Sequence, residues 1–166
     1  MGALPVRAGH QPTTTASIPH RQVDQQPADA AYLTDLLEAA CTWAGIVEAD
    51  SGISVHGARA LLVSDQLLSG PAEAFLVGRE FCHGHAQGDY SLHLTLPPAL
   101  ALEAEQAGWV EPHFLALAGQ LPRSVVMLYA PRDPDEVTVA LALVRGSFDF
   151  ARGAIVPIPR QESDLA

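Results

Sequence analysis

The stretch Glu80-Phe81-Cys82-His83-Gly84-His85-Ala86-Gln87-Gly88-Asp89-Tyr90-Ser91-Leu92-His93-Leu94-Thr95-Leu96 reads as a β-hairpin with one buried face. Leu92, Leu94 and Leu96 alternate with Ser91, His93 and Thr95, the period-two pattern of a half-buried strand. Residues two apart on a strand share a face, so His83 and His85 lie together. A three-residue loop centred on Gly88 sets His83 opposite His93 and His85 opposite Ser91, with all three imidazoles on one face. A two-residue loop would turn His93 to the other side, so the register decides whether a constellation exists.

Outward from the hairpin, the remaining elements follow from periodicity and punctuation. Leu33, Leu36, Leu37, Ala40, Cys41 and Ala44 form one apolar stripe, predicting a helix from Asp29, its cap, to Ala44, stopped by Gly45. Extended segments are expected at 52–56, 59–63, 72–85 and 90–96. Pro97-Pro98 closes the hairpin and opens a helix over 99–107, ended by Gly108. Ser124 to Ala130 is apolar on both faces and reads as a central strand. Asp133, Pro134 and Glu136 form a capping-box-like start for a last helix running to Gly153, with Val137, Leu141, Val144 and Phe148 as its stripe. This order predicts an α+β fold: an antiparallel-rich sheet with three helices packed on it. Residues 29–153 form the expected single domain, between a polar, proline-punctuated arm (1–28), disordered or loosely ordered, and a flexible polar tail (154–166).

The chain has 166 residues, and its nine cationic side chains are all arginine, against nineteen carboxylates. Without lysine there is no Schiff-base amine, no pyridoxal-phosphate anchor and no Walker-type loop. A net charge of −10 argues against nucleic acid and anionic membrane as partners, and no stretch approaches a membrane span or a signal-peptide core. Cys41 and Cys82 lack CxxC spacing and read as buried thiols in a reduced compartment, so a cytoplasmic protein is expected. A homodimer is an open option, and the expected partner is a small-molecule substrate.

Three imidazoles on one face suit two chemistries. His83, His85 and His93 can ligate a divalent metal ion, since HxH plus a third His is a facial ligand set. They can equally serve as general acids and bases near neutral pH. Against both stands the plain alternative of sheet-face histidines with ordinary hydrogen bonds. Two further loops offer His113 and Tyr129 as assisting catalytic groups, with Arg132 as a planar donor for an anionic oxygen. Trp109, Ser91 and Asp89 are the expected substrate contacts, although core burial of Trp109 and an ion pair of Arg132 with Asp133, Asp135 or Glu136 compete with those roles. His56 reads as structural. There is no GxSxG, GxGxxG or HExxH, so serine-hydrolase, dinucleotide and zincin chemistries have no support, and no organic cofactor is implied.

The run Glu73-Ala74-Phe75-Leu76-Val77-Gly78-Arg79-Glu80-Phe81-Cys82-His83-Gly84-His85 resembles the opening motif of the luciferase-domain family of bacterial and fungal proteins. Asp89-Tyr90-Ser91-Leu92-His93, Gly108-Trp109-Val110-Glu111-Pro112-His113 and Tyr129-Ala130-Pro131-Arg132-Asp133 are similar to its later motifs, in the same order. The resemblance covers roughly Ser54 to Phe150. It implies an oxygenase in specialised metabolism, because the family's eponym oxygenates a hydroxypyrone of polyketide type without an organic cofactor. An acid/base enzyme such as an isomerase or cyclase, or a non-catalytic ligand- or protein-binding module, is compatible with the same residues. The segment is also distantly similar to YjbR-like α+β domains, some of which are suspected nucleic-acid binders, a role its acidity opposes.

Overall fold

The computed structural model describes residues 3–154. Among these, six antiparallel strands form one open sheet: β1 (Ile46–Asp50), β2 (Arg59–Val63), β3 (Glu80–Gly84), β4 (Leu92–Thr95), β5 (Val110–Pro112) and β6 (Val125–Leu128). Their spatial order is β1-β2-β3-β4-β6-β5. The helices are α1 (Ala31–Cys41), α2 (Pro98–Gln106), the single turn α3 (Phe114–Leu117) and α4 (Pro134–Ala151). The fold is α+β, as the element order predicted.

One face of the sheet carries the apolar core. Cross-strand neighbours Leu61, Cys82, Leu94 and Val126 are buried in one core with Leu33, Leu36, Leu37 and Ala40 of α1 and Leu143, Val144 and Phe148 of α4. Truncating a fully buried leucine such as Leu94 to alanine costs about 2–5 kcal/mol, the transfer loss plus the cavity left behind. α4 starts where its cap predicts: Asp133 Oδ1 accepts the Glu136 N–H at 2.8 Å. Its buried line is rotated from the expected stripe, running through Ala140, Leu143, Val144, Ser147 and Phe148, with Val137 and Leu141 only half-buried. Gly84 lets α1 close on β3, since a Cβ there would lie 2.9 Å from Leu33 Cδ1.

The opposite face carries the row Ala60, His83, His93, Met127 and Glu111. The hairpin has the predicted register, His83 facing His93 and the His85 N–H donating to Ser91 O at 2.9 Å. A bulge places Phe81 outside the β2–β3 pairing, with Leu61 opposite Cys82 and Leu62 opposite Glu80. Phe81 therefore packs on Phe148 of α4, while the Glu80 carboxylate reaches the His83 ring.

Three local expectations differ from the structure. Residues 52–56 are bends and a turn, not a strand, because Ser51 Oγ accepts the Ile53 and Ser54 N–H groups. The edge strand is β1 instead, which is mostly exposed and shows no alternation. Within 72–85 only β3 is a strand; Ala72–Ala74 forms a 3-10 turn, and Gly78 has φ +54°.

The arm is the largest difference. Where a disordered or loosely ordered segment was expected, residues 3–28 pack over the histidine face, burying Arg7, Pro12, His20 and Gln22. Polar anchors hold it: Trp109 Nε1 donates to Pro5 O at 2.6 Å, the Ala130 N–H to Gln22 Oε1 at 2.9 Å, and Arg132 to Ala8 O at 2.8 Å. The arm doubles back on itself through the Thr14–Gln22 pairing, and its tip, Ile18-Pro19-His20, overhangs the sheet. The expected C-terminal tail lies outside the described residues beyond Ala154.

Candidate functional site

Five imidazoles converge between the sheet and the arm. His83 is on β3, His85 just beyond it, His93 on β4, His113 at the start of α3, and His20 on the arm tip. All five are buried. His93 is central: its ring centroid lies 5.4, 5.2, 5.0 and 5.2 Å from those of His20, His83, His85 and His113. Beside them opens a cavity of ≈ 390 Å³, otherwise walled mainly by aliphatic side chains including Ile53, Val55, Leu76, Leu115, Leu121 and Val125. That volume and lining suit a small, largely apolar molecule.

Hydrogen bonds assign the ring protons. The Glu80 carboxylate takes the His83 Nδ1–H at 2.6 Å, along with the Ser51 hydroxyl at 2.8 Å and the Gly52 N–H at 2.9 Å. His83 Nε2 is then the acceptor for His93 Nδ1–H at 3.2 Å, which leaves the His93 Nε2 lone pair without a partner. The Asp89 carboxylate takes the His85 Nδ1–H at 3.0 Å and also holds the Ser91 N–H and hydroxyl, so His85 keeps its Nε2 lone pair. Glu111 takes the His20 Nε2–H at 2.8 Å, leaving His20 Nδ1 buried and unpartnered. His113 Nδ1 instead accepts the Leu115 N–H at 3.2 Å.

This setting favours neutral rings. Burial pushes His93 well below the ordinary imidazole value, and its four histidine neighbours add to the effect. Burial likewise lowers His83, against the pull of Glu80, and takes His113 down to about 4. Burial alone would raise Glu80, but hydrogen bonds from His83, Gly52 and Ser51 outweigh it and hold the carboxyl below its usual range. Glu111 is lowered in the same way, with His20 as its main donor.

The structure brings together His83, His85, His93 and His113 of the residues expected in the site. Ser91 and Asp89 stand behind His85 and outside the cavity lining, and the Ser91 hydroxyl is spent on Asp89. Tyr129 connects only through Glu111, to which its hydroxyl donates at 3.0 Å; burial and that carboxylate push the phenol up. Arg132 does not reach the cavity. It is paired with Glu136 and bound to Gln25 and Ala8 of the arm, so it holds the arm down instead of an anionic oxygen. Trp109 is core, its indole tied to Pro5. His56 is exposed. His20 went unforeseen because nothing in Pro19-His20-Arg21 marks it, whereas Glu111 stands two residues before His113, the spacing of one strand face.

As a ligand set for a divalent ion, His83, His85 and His93 have donor atoms within 4.8 Å of one another, as do His20, His93 and His113. The first set has a conflict: the His83 Nε2 lone pair is already engaged by His93.

Residues 78–147 match the family model of the luciferase domain. Among curated proteins, the luciferases of Armillaria mellea, Armillaria gallica and Armillaria ostoyae are each 27% identical to this chain over 161 residues. The alignments cover 89% of this chain and 60% of each relative, so the chain spans less than two thirds of their length. No solved structure matches it significantly. His83, His85, His93 and His113 all fall inside the matched segment and His20 outside it, so the match to the luciferase-domain model falls on the motifs whose resemblance predicted it.

Proposed function

We propose that this chain is an enzyme that takes a proton from a small, conjugated, largely apolar molecule bound in the histidine cavity. The observation that carries this reading is the Asp89–His85 pair. A buried carboxylate fixes the Nδ1–H tautomer of His85, one of the rings lining the cavity, which leaves its Nε2 as a proton acceptor. Asp89 then stabilises the imidazolium as it forms. The aliphatic walls keep water from the carbanion.

Oxygenation is the version that the likeness to luciferases favours. The carbanion passes one electron to dioxygen, the two radicals combine in a C–O bond, and His85 returns its proton to the peroxide. The net change is substrate plus dioxygen to hydroperoxide, with both electrons supplied by the substrate, so no organic cofactor is required. The unpaired thiols Cys41 and Cys82 support a reducing compartment such as the cytoplasm, and no helix among the described residues is long and apolar enough to cross a membrane.

The probe for the base is nitrobenzisoxazole, a carbon acid that opens to a coloured phenolate when a base removes its ring proton. Wild-type protein is expected to open it faster than free imidazole, and His85→Ala to lose about 10²-fold or more of that rate while unfolding at a similar temperature. Wild-type protein no faster than imidazole, or a folded His85→Ala with the full rate, refutes the reading. Tight binding of hydroxypyrones with neither turnover nor oxygen uptake would identify a binding module.

A further inference from the structure

Two lone pairs are buried in the site with nothing to meet them: His93 Nε2 and His20 Nδ1. Each belongs to a ring whose opposite nitrogen is fully occupied. His93 Nδ1–H leads through His83 to Glu80, and His20 Nε2–H goes directly to Glu111. The two rings are stacked, with centroids 5.4 Å apart and planes within 15°. The His113 ring stands edge-on to His20 at 4.7 Å, and one nitrogen of each ring lies within 4.8 Å of the others.

Leaving a buried acceptor unsatisfied costs about 1–3 kcal/mol, so two side by side are expensive without an occupant. A donor N–H or O–H would satisfy one of them. A divalent cation satisfies both at once, and imidazoles whose far N–H is held by a carboxylate are the ligands such ions take. The carboxylates are present on both sides: Glu111, supported by the Tyr129 hydroxyl, and Glu80, supported by Ser51 and Gly52. His113 is the third ring, and to join it gives up the 3.2 Å bond that its Nδ1 accepts from the Leu115 N–H at the start of a single helical turn, or the proton on its Nε2.

We propose that His20, His93 and His113 form a site for a divalent first-row transition metal, bound between the arm and the sheet. Nitrogen donors suit zinc, iron, nickel, cobalt and copper, and disfavour magnesium and calcium. The inference deepens the reading of the cavity as a proton-abstracting site: the His85 ring is 5.0 Å from that of His93, so the ion would supply a Lewis acid beside the base for an anionic oxygen of the substrate. It also makes the arm, which lies outside the matched luciferase domain, a structural part of the site.

The test uses cobalt(II) with the full-length chain after treatment with a chelator. Expected are one bound ion per chain, visible absorption of a nitrogen-ligated cobalt centre, and slower proteolysis within residues 13–23. His20→Gln and His93→Gln should abolish the absorption, and Glu111→Gln should weaken binding about 10- to 100-fold. His85→Ala should bind cobalt normally. Absence of binding at micromolar cobalt, or unchanged binding in His20→Gln, overturns the site. Loss in His85→Ala with retention in His20→Gln assigns the ion to His83, His85 and His93 instead. Nitrobenzisoxazole opening by the metal-free chain reports on His85 alone, so the failure of the base and the failure of the metal site are separate results.

Discussion

Replacing Asp89 by asparagine keeps the shape of the site and removes its charge. Oδ1 of Asp89 accepts the Ser91 N–H at 3.0 Å and the Ser91 hydroxyl at 2.9 Å, and the backbone donor cannot turn away. The asparagine oxygen must therefore occupy the Oδ1 position, which puts the NH₂ group at Oδ2, 3.1 Å from His85 Nδ1. The retained oxygen still stands 3.0 Å from Nδ1 and can accept its proton, but the amide N–H beside it favours the opposite tautomer, so the preference for a free Nε2 toward the cavity weakens. Hydrogen bonds to a charged acceptor contribute about 1.5–3 kcal/mol and neutral ones about 0.5–1.5. Three bonds to the carboxylate thus lose about 1 kcal/mol each, partly offset because no charge is buried any longer. A net destabilisation of about 1–3 kcal/mol is expected in urea titrations. If about 3 kcal/mol of tautomer preference is lost, the base-competent fraction falls about 10²-fold, at 1.4 kcal/mol per decade. Nitrogen-15 NMR of the imidazoles should show a larger fraction of His85 with Nε2 protonated, and the rate of nitrobenzisoxazole opening should fall in step. An Asp89→Asn protein with the wild-type rate and Nε2 still unprotonated would refute the assignment of Asp89 and His85 as a working pair.

Stability of the metal-free chain should decline with acid well before the carboxylates titrate. His83, His93 and His113 are all lowered in the fold, whereas in the unfolded chain they take protons near pH ~6.5. Their contribution is therefore present above that pH and is lost as the pH falls toward the folded values, each ring adding a slope of up to about 1.4 kcal/mol per pH unit. Urea midpoints that stay level from about pH 7 to about pH 5 would contradict the burial of neutral rings. Arg132→Ala should free the arm, since it removes the bonds to Ala8 and Gln25, and limited proteolysis should then cut within residues 3–28 much faster while α4 stays folded. Equal digestion of variant and wild type would show that the arm is held by other contacts. Gly84→Ala sets a Cβ 2.9 Å from Leu33 Cδ1 and should cost about 1–3 kcal/mol through displacement of α1, read as a lower melting temperature.

The hairpin was legible because every local signal agreed: alternating leucines, a turn at Gly88 and a proline pair closing the strand. Its register put three histidines on one face, and the α4 cap was equally plain in Asp133-Pro134-Glu136. The strand β1 was not, since an exposed edge strand has no buried face to impose alternation. The order of the arm is not legible for a related reason. Low hydropathy signals disorder only when order must come from apolar burial, and this segment is held by backbone carbonyls, Gln22, Arg7 and Arg132. His20 follows from the arm's docking and from nothing local. Arg132 was expected at the cavity because strand-end residues often line pockets, but the helix that follows it supplies Glu136 four residues on, and the arm takes other donors of its guanidinium.

The bulge at Phe81 acts as a phase shift in the strand. An acid three residues before a histidine is a helix spacing, and on a regular strand Glu80 and His83 would point to opposite sides of the sheet. One extra residue changes which positions face the histidines on the amino-terminal side of Phe81 without touching those after it, so a β-strand delivers an acid–histidine pair that a two-residue periodicity would discard. Deleting Phe81 would remove a core aromatic and the bulge together, leaving Glu80 two residues before His83 in a regular strand, so the acid would stay on the histidine face while α4 lost its aromatic partner at Phe148.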